Sequence, residues 1–148
     1  AQLLIESAER LPVVIPLHPR GRRQLEGAGL GSNTRVIGLD PLAYLDFMSI
    51  VQASSTVITD SGGVQEETTY LGIPCLTLRT TTERPVTITH GTNRLVSPTT
   101  LLTELDRALD RTHKEREPVL PPKWDGHAGP RIASVIHGWL TERQDQPD

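Results

Sequence analysis

Thr59-Asp60-Ser61-Gly62-Gly63-Val64-Gln65-Glu66-Glu67 closes one apolar run and opens a helix-forming one. It follows Thr56-Val57-Ile58-Thr59 and leads into a predicted helix from Gly63 to Leu71, closed by Gly72. A strand that turns directly into a helix is half of a βαβ unit. Ser61 can cap that helix or donate its hydroxyl to a ligand. The first helical N–H groups lack internal partners and lie at the positive end of the helix dipole, so negative charge is favoured there. Gly62 and Gly63 carry no Cβ, which lets a phosphate approach the backbone. Ser-Gly-Gly after a strand is also a plain tight turn with a cap, and geometry alone leaves both readings open. Glu66 and Glu67 complement the dipole, yet two carboxylates beside a bound pyrophosphate repel it. At least one should have another task. A carboxylate about one turn from a phosphate site can accept hydrogen bonds from both ribose hydroxyls.

Outward from this stretch the pattern repeats. Val13-Val14-Ile15-Pro16-Leu17, Arg35-Val36-Ile37-Gly38-Leu39, Cys75-Leu76-Thr77-Leu78 and Asn93-Arg94-Leu95-Val96 are further short runs suited to a parallel sheet covered on both faces. Helices are predicted over 1–10, 20–28 (ending at Gly29), from Asp40-Pro41 onward, and over 98–111. Asp40 would be an N-cap and Pro41 a first helical residue. Leu42, Leu45, Phe47, Met48 and Val51 give that helix an apolar side. Residues 114–129 read as a loop rich in Pro, Gly and charge. Ile132, Val135, Ile136 and Trp139 line a last helix, which Trp124 and Trp139 are expected to pin. The alternation predicts right-handed crossovers and one doubly wound α/β domain spanning 1–148, with ligands beyond the carboxyl ends of its strands. Arg79-Thr80-Thr81-Thr82-Glu83-Arg84-Pro85 follows a strand and lies at that edge. Its two Arg and three hydroxyls suit a diphosphate, or simply a solvated loop with a Glu83–Arg84 surface pair.

Composition narrows the function classes. With 36% hydrophobic residues, 22% charged residues and a net charge of −3, the chain is neither disordered nor basic enough to imply a nucleic-acid partner. No run approaches the roughly 20 apolar residues of a membrane span. Cys75 is the only cysteine, so there is no intrachain disulfide, and a reducing cytoplasmic setting is the simplest expectation. Cys75 follows Pro74 in a strand and reads as core. His90, His113, His127 and His137 lack metal-ligand spacing, and Lys114-Glu115-Arg116-Glu117 reads as a solvated run. No metal or cofactor is called for.

Asp60-Ser61-Gly62-Gly63-Val64-Gln65-Glu66-Glu67, Leu71-Gly72-Ile73-Pro74, Arg79 to Pro85 and Gly91-Thr92-Asn93-Arg94-Leu95-Val96 together resemble, in order and spacing, the UDP-N-acetylglucosamine 2-epimerase family. His18-Pro19-Arg20 is similar to its His-Pro loop. Asp40 to Phe47 is similar to its uracil-side helix. Trp124-Asp125-Gly126-His127-Ala128 with Arg131-Ile132 is similar to its closing segment. The resemblance implies the carboxyl-terminal half of a two-domain GT-B-like fold, made of two Rossmann-like halves around a cleft. This half holds UDP or UDP-N-acetylglucosamine. By match, Ser61, Gly62 and Gly63 hold the diphosphate, Glu67 the ribose, and Arg84 the phosphates. Phe47 and the backbone near Leu42 face the uracil, although Leu42 stands where the family often has a polar residue. His18 lies at the cleft edge, where some members bind a second, activating substrate molecule. The family's reaction eliminates UDP across C1 and C2 and adds it back, interconverting the gluco and manno epimers. Its acid/base carboxylates come from the amino-terminal half, so no catalytic residue is expected here, and the partner is that missing domain in a homodimeric enzyme. A central strand of the family's sheet, ahead of the helix at 1–10, is likewise outside these residues. Two other readings stay open: the carboxyl-terminal domain of a nucleotide-sugar glycosyltransferase, and a non-catalytic UDP-sugar-binding module.

Overall fold

The computed structural model describes residues 2–28, 33–110 and 120–144. Its elements run α1 (Gln2–Arg10), β1 (Val13–Pro16), α2 (Pro19–Gly27), β2 (Val36–Leu39), α3 (Tyr44–Ala53), β3 (Val57–Thr59), α4 (Gly62–Leu71), β4 (Cys75–Thr77), α5 (Pro85–Thr89), β5 (Asn93–Leu95), α6 (Leu101–Asp110) and α7 (Ala128–Gln144). All the strand pairings are parallel, as the apolar runs imply. Gly29, Arg111, His113 and residues 114–119 lie outside the described residues.

The alternation of side chains along β4 places the core. Leu76 joins Val96, Leu101 and Leu105 in a buried aliphatic cluster, with Leu3, Ile58 and Leu109 packed against it. Through Leu3 and Leu105, α1 and α6 meet over this face. Cys75 and Thr77 flank Leu76 and so point to the opposite face, where α4 packs against β4. One face is therefore aliphatic, and the face under α4 is built largely of polar side chains: Gln65, Thr68, Thr69, Thr77, Thr87 and Asn93 are all buried.

The sheet comes in two pieces. β1 pairs with β2, from Val13 opposite Val36 to Pro16 opposite Leu39. β3, β4 and β5 form a second ladder in that order. Among the described residues no ladder joins β1 to β3. A cleft of about 1070 Å³ lies between them, lined by Val13–Leu17, Val57–Asp60, Leu4, Phe47 and Val51. Among the described residues each of these two strands has one edge without a strand partner.

Several boundaries differ from the sequence reading. α3 begins at Tyr44, with extended Ala43 (φ −63°, ψ 156°) at its N-cap position. Asp40 does not cap it, because its carboxylate takes Arg22 Nη2 at 2.8 Å. α6 begins at Leu101, three residues later than Pro98. Ser97 N–H donates to Thr100 Oγ1 at 2.9 Å, Thr100 N–H to Ser97 Oγ at 3.3 Å and Leu101 N–H to the Ser97 carbonyl at 3.0 Å, a reciprocal cap with Ser97 as N-cap that makes Pro98–Thr100 the lead-in turn of the helix. α5 was not anticipated; five residues are too few to show a period, and Pro85 at its first turn is its only signal. The apolar side of α7 is not packed as expected: Ile132, Val135, Ile136, Trp139 and Leu140 are each about half exposed or more.

Candidate functional site

Only Asp60 and Ser61 separate β3 from α4, so the helix's amino terminus stands at the carboxyl end of that strand. Ser61 is the N-cap, with extended backbone (φ −81°, ψ 132°), and its side chain makes no capping hydrogen bond. The hydroxyl is therefore not committed to the helix. A Cβ built on Gly62 or Gly63 meets nothing within 4 Å, and neither residue has a positive φ. Gly72 is different. It closes α4 at φ 71° and donates its N–H to the Thr68 and Thr69 carbonyls, a conformation that glycine adopts without strain. The fold itself thus requires Gly72 but makes no demand for glycine at 62 or 63. Glycine in a helix costs up to about 1 kcal/mol relative to alanine. The space that the two residues leave open suits an anion meeting the first N–H groups of α4.

Arg84 is the residue before α5. Its Nε lies 3.0 Å from Glu66 Oε1, with both side chains about two-fifths exposed. The contact is an ion pair rather than an aligned hydrogen bond, because Nε meets no acceptor in bonding geometry. An exposed pair of this kind contributes only about 0–1 kcal/mol, so the guanidinium can exchange Glu66 for a ligand anion. The Glu83–Arg84 pair does not form. Glu83 takes Arg79 at 3.1 Å instead. A hydrogen bond from its own backbone N–H and the charge of Arg79 lower the Glu83 pKa.

Glu66 thus has its separate task. Glu67 is half-buried, and its carboxylate, close to the Tyr44 hydroxyl at the start of α3, raises the phenol's pKa by hydrogen bonding first and by its charge second. The sequence reading missed Tyr44; its only available signal was the scarcity of aromatic rings. Ser61, Gly62, Gly63, Glu67 and Arg84 all lie on or against α4. Leu42 and Phe47 are half-buried at the amino-terminal side of α3, and Phe47 lines the cleft between the ladders. His18 is exposed past the end of β1, on the other ladder, and its carbonyl accepts the Arg22 N–H at 3.1 Å.

The closing segment is a clamp. Asp125 Oδ1 and Oδ2 accept Arg131 at 2.7 and 2.5 Å, and Oδ1 also accepts the His127 N–H at 3.1 Å. Gly126, at φ 78°, makes the turn. Arg131 first, then the His127 N–H, hold the Asp125 carboxyl well below the usual carboxylate range. Cys75 is fully buried, and desolvation pushes its thiol pKa up, which suits core rather than nucleophile. Among the described residues no group of three or more His, Cys, Asp or Glu could hold a metal ion, and no helix is long and apolar enough to cross a membrane.

A family model described as UDP-N-acetylglucosamine 2-epimerase matches residues 1–137. The chain belongs to the UDP-N-acetylglucosamine 2-epimerase family. The UDP-N-acetylglucosamine 2-epimerase of Methanococcus maripaludis is 33% identical over 132 residues, covering 85% of this chain and 35% of that protein. The UDP-2,3-diacetamido-2,3-dideoxy-D-glucuronate 2-epimerase of Pseudomonas aeruginosa is 48% identical over 85 residues, 57% of this chain and 23% of that one. Among solved structures, the Methanocaldococcus jannaschii UDP-GlcNAc 2-epimerase in complex with UDP-GlcNAc and UDP superposes with a TM-score of 0.72 at 31% identity, over 91% of this chain and 38% of that one. The α/β fold with parallel strands is that of the matched, carboxyl-terminal part of these epimerases. The chain spans well under half the length of these relatives.

Proposed function

We propose that this chain is one Rossmann-like domain, the UDP-binding part of an enzyme that interconverts UDP-N-acetylglucosamine and UDP-N-acetylmannosamine. One observation carries the reading. The amino terminus of α4 opens on two glycines that the fold does not need, beside an arginine whose guanidinium pairs with a partly exposed carboxylate. In this role Ser61, Gly62, Gly63 and Arg84 bind the diphosphate. Glu67 accepts the ribose hydroxyls, exchanging the Tyr44 hydroxyl for them. Leu42, through its backbone, and Phe47 border the uracil, and His18 stands at the edge of the sugar cleft.

In the reaction a base removes the C2 proton, the C–H electron pair forms the C1=C2 bond, and the C1–O bond breaks with its electrons passing to UDP. Re-addition with protonation on the other face of C2 gives the epimer. Donors fixed before the bond breaks stabilise the charge that develops on the leaving diphosphate, which is the task of α4 and Arg84. The acid and base come from a further domain, in keeping with the greater length of the relatives. The family resemblance further implies a homodimer in the cytoplasm.

Calorimetry on the 148-residue chain tests this. UDP is expected to bind at least about tenfold tighter than uridine, since charge-assisted bonds to the diphosphate supply the difference. Equal affinities would sink the reading.

A further inference from the structure

The face of the sheet beneath α4 is polar and nevertheless closed to water. Gln65, Thr77 and Thr87 are completely buried, and Asn93 is 2% exposed. Polar groups in such a place must find partners, and these find one another. Thr77 Oγ1 donates to Asn93 Oδ1 at 2.6 Å. Asn93 Nδ2 donates to Thr87 Oγ1 at 3.0 Å and to Gln65 Oε1 at 3.1 Å. Thr82 Oγ1 donates to the same Gln65 oxygen at 2.6 Å. The Gln65 amide has only one workable orientation, because the reverse would set its NH₂ against that of Asn93, donor to donor.

The bonds continue through the backbone of Arg84 and close a ring. Thr82 Oγ1 accepts the Arg84 N–H at 3.0 Å. The Arg84 carbonyl accepts Thr87 Oγ1 at 2.7 Å and the Thr87 N–H at 3.0 Å. Gln65, Thr82, Arg84, Thr87 and Asn93 are therefore linked in one circuit. Arg84 itself has φ −119° and ψ 57°, neither helix nor strand, so no ladder holds it and the circuit does. The other end of the circuit is Gln65, which lies in the first turn of α4 and moves as one body with Gly62 and Gly63.

We propose that Gln65 is a positioning residue for diphosphate recognition, fixing Arg84 relative to the amino terminus of α4. This deepens the UDP-binding reading and rests on it. Two observations set the role apart from packing. Among the described residues Gln65 Nε2 is buried without a partner, a cost that an apolar side chain of similar volume would not carry. Moreover, Thr82 and Thr87 each use one hydroxyl both to receive a bond from the circuit or from Arg84 and to pass one on, and between them these bonds hold the N–H and the C=O of Arg84. With its backbone anchored, Arg84 loses less freedom when its guanidinium leaves Glu66 for an anion.

The test measures UDP and uridine affinity by calorimetry on the 148-residue chain and on Gln65→Met, Thr82→Val and Thr82→Ser, with the melting temperature of each. Gln65→Met and Thr82→Val are expected to lose about tenfold or more in UDP affinity, roughly the share of one charge-assisted contact, with uridine affinity unchanged. Thr82→Ser, which keeps the hydroxyl, is expected to retain the wild-type preference for UDP over uridine. If Gln65→Met fails to fold, the Thr82 pair, in a partly exposed loop, decides alone. A wild-type preference for UDP that survives in Thr82→Val overturns the positioning role while leaving the diphosphate site intact. A lower melting temperature with equal loss of both ligands overturns it too, as a purely structural role. A wild-type chain that does not prefer UDP overturns both proposals.

Discussion

A methyl group added to Gly63 would enter open space on the first turn of α4, with nothing within 4 Å. Alanine is the better helix former by up to about 1 kcal/mol, and the native φ is one that alanine adopts. Gly63→Ala is therefore expected to leave the melting temperature unchanged or slightly raised. If a phosphate lies against this turn, the same methyl occupies its place, and UDP affinity is expected to fall at least about tenfold, as for a lost charge-assisted contact. Thermal melting and calorimetry on one preparation separate the two effects. Unchanged UDP affinity would show that the ligand stays away from the Gly63 backbone. Gln65, two residues on, reverses this logic: it is buried in the interior, yet its proposed task lies at the site.

At the level of elements, the turn between α5 and β5 is packed tightly against α4. A Cβ on Gly91 would lie 2.5 Å from the Thr87 carbonyl oxygen and 2.5 Å from the Thr69 side chain. One obstacle is backbone, so neither a rotamer change nor a small shift relieves both. Gly91→Ala is expected to destabilise by about 1–3 kcal/mol, the usual range for overpacking. Gly72→Ala, which puts a Cβ on left-handed backbone, should cost about 1 kcal/mol from that conformation. Urea unfolding of the two variants checks the order, and an equal or smaller loss at Gly91 would mean that β5 and α4 separate easily. Much of this layer was legible beforehand. β1 to β5 were readable because each is a short β-branched or aliphatic run, and α4 because glycine closes it. What the sequence concealed depended on distant partners. Asp40 has the signature of a cap, but Arg22 takes its carboxylate. The Gln65 circuit joins residues 17 and 28 positions apart, and no periodicity announces such a bond. At the site, Ser61, Gly62, Gly63, Glu67 and Arg84 were readable from their motif, whereas Tyr44 was not, since only the packing of α3 against α4 brings its hydroxyl to Glu67.

For the whole molecule the question is whether these residues can carry out the proposed epimerisation. That chemistry needs a base on one face of C2 and an acid on the other, a contribution of about 10²–10⁴-fold. Among the described residues Glu66 pairs with Arg84, Glu67 lies against Tyr44 and Glu83 pairs with Arg79, while Asp60, next to the N-cap Ser61, is an exposed carboxylate at the rim of the cleft. The Glu83 pKa is shifted downward, away from what a base at neutral pH requires. The cleft between the ladders is lined mainly by apolar residues of β1 and β3, and among the described residues Asp60 is the one carboxylate in its lining, short of the two opposed groups that the reaction needs. If, as proposed, the acid and base stand on a further domain, the 148-residue chain alone leaves the leaving group open to water, which weakens each contact that stabilises its charge. The 148-residue chain is therefore expected to bind UDP without epimerising UDP-N-acetylglucosamine. The check is to incubate the purified chain with UDP-N-acetylglucosamine in deuterated water and follow C2 by NMR. Steady uptake of deuterium there, or appearance of the manno epimer, would place an acid/base pair within these residues and refute the division of labour between a UDP-holding part and a proton-transferring one.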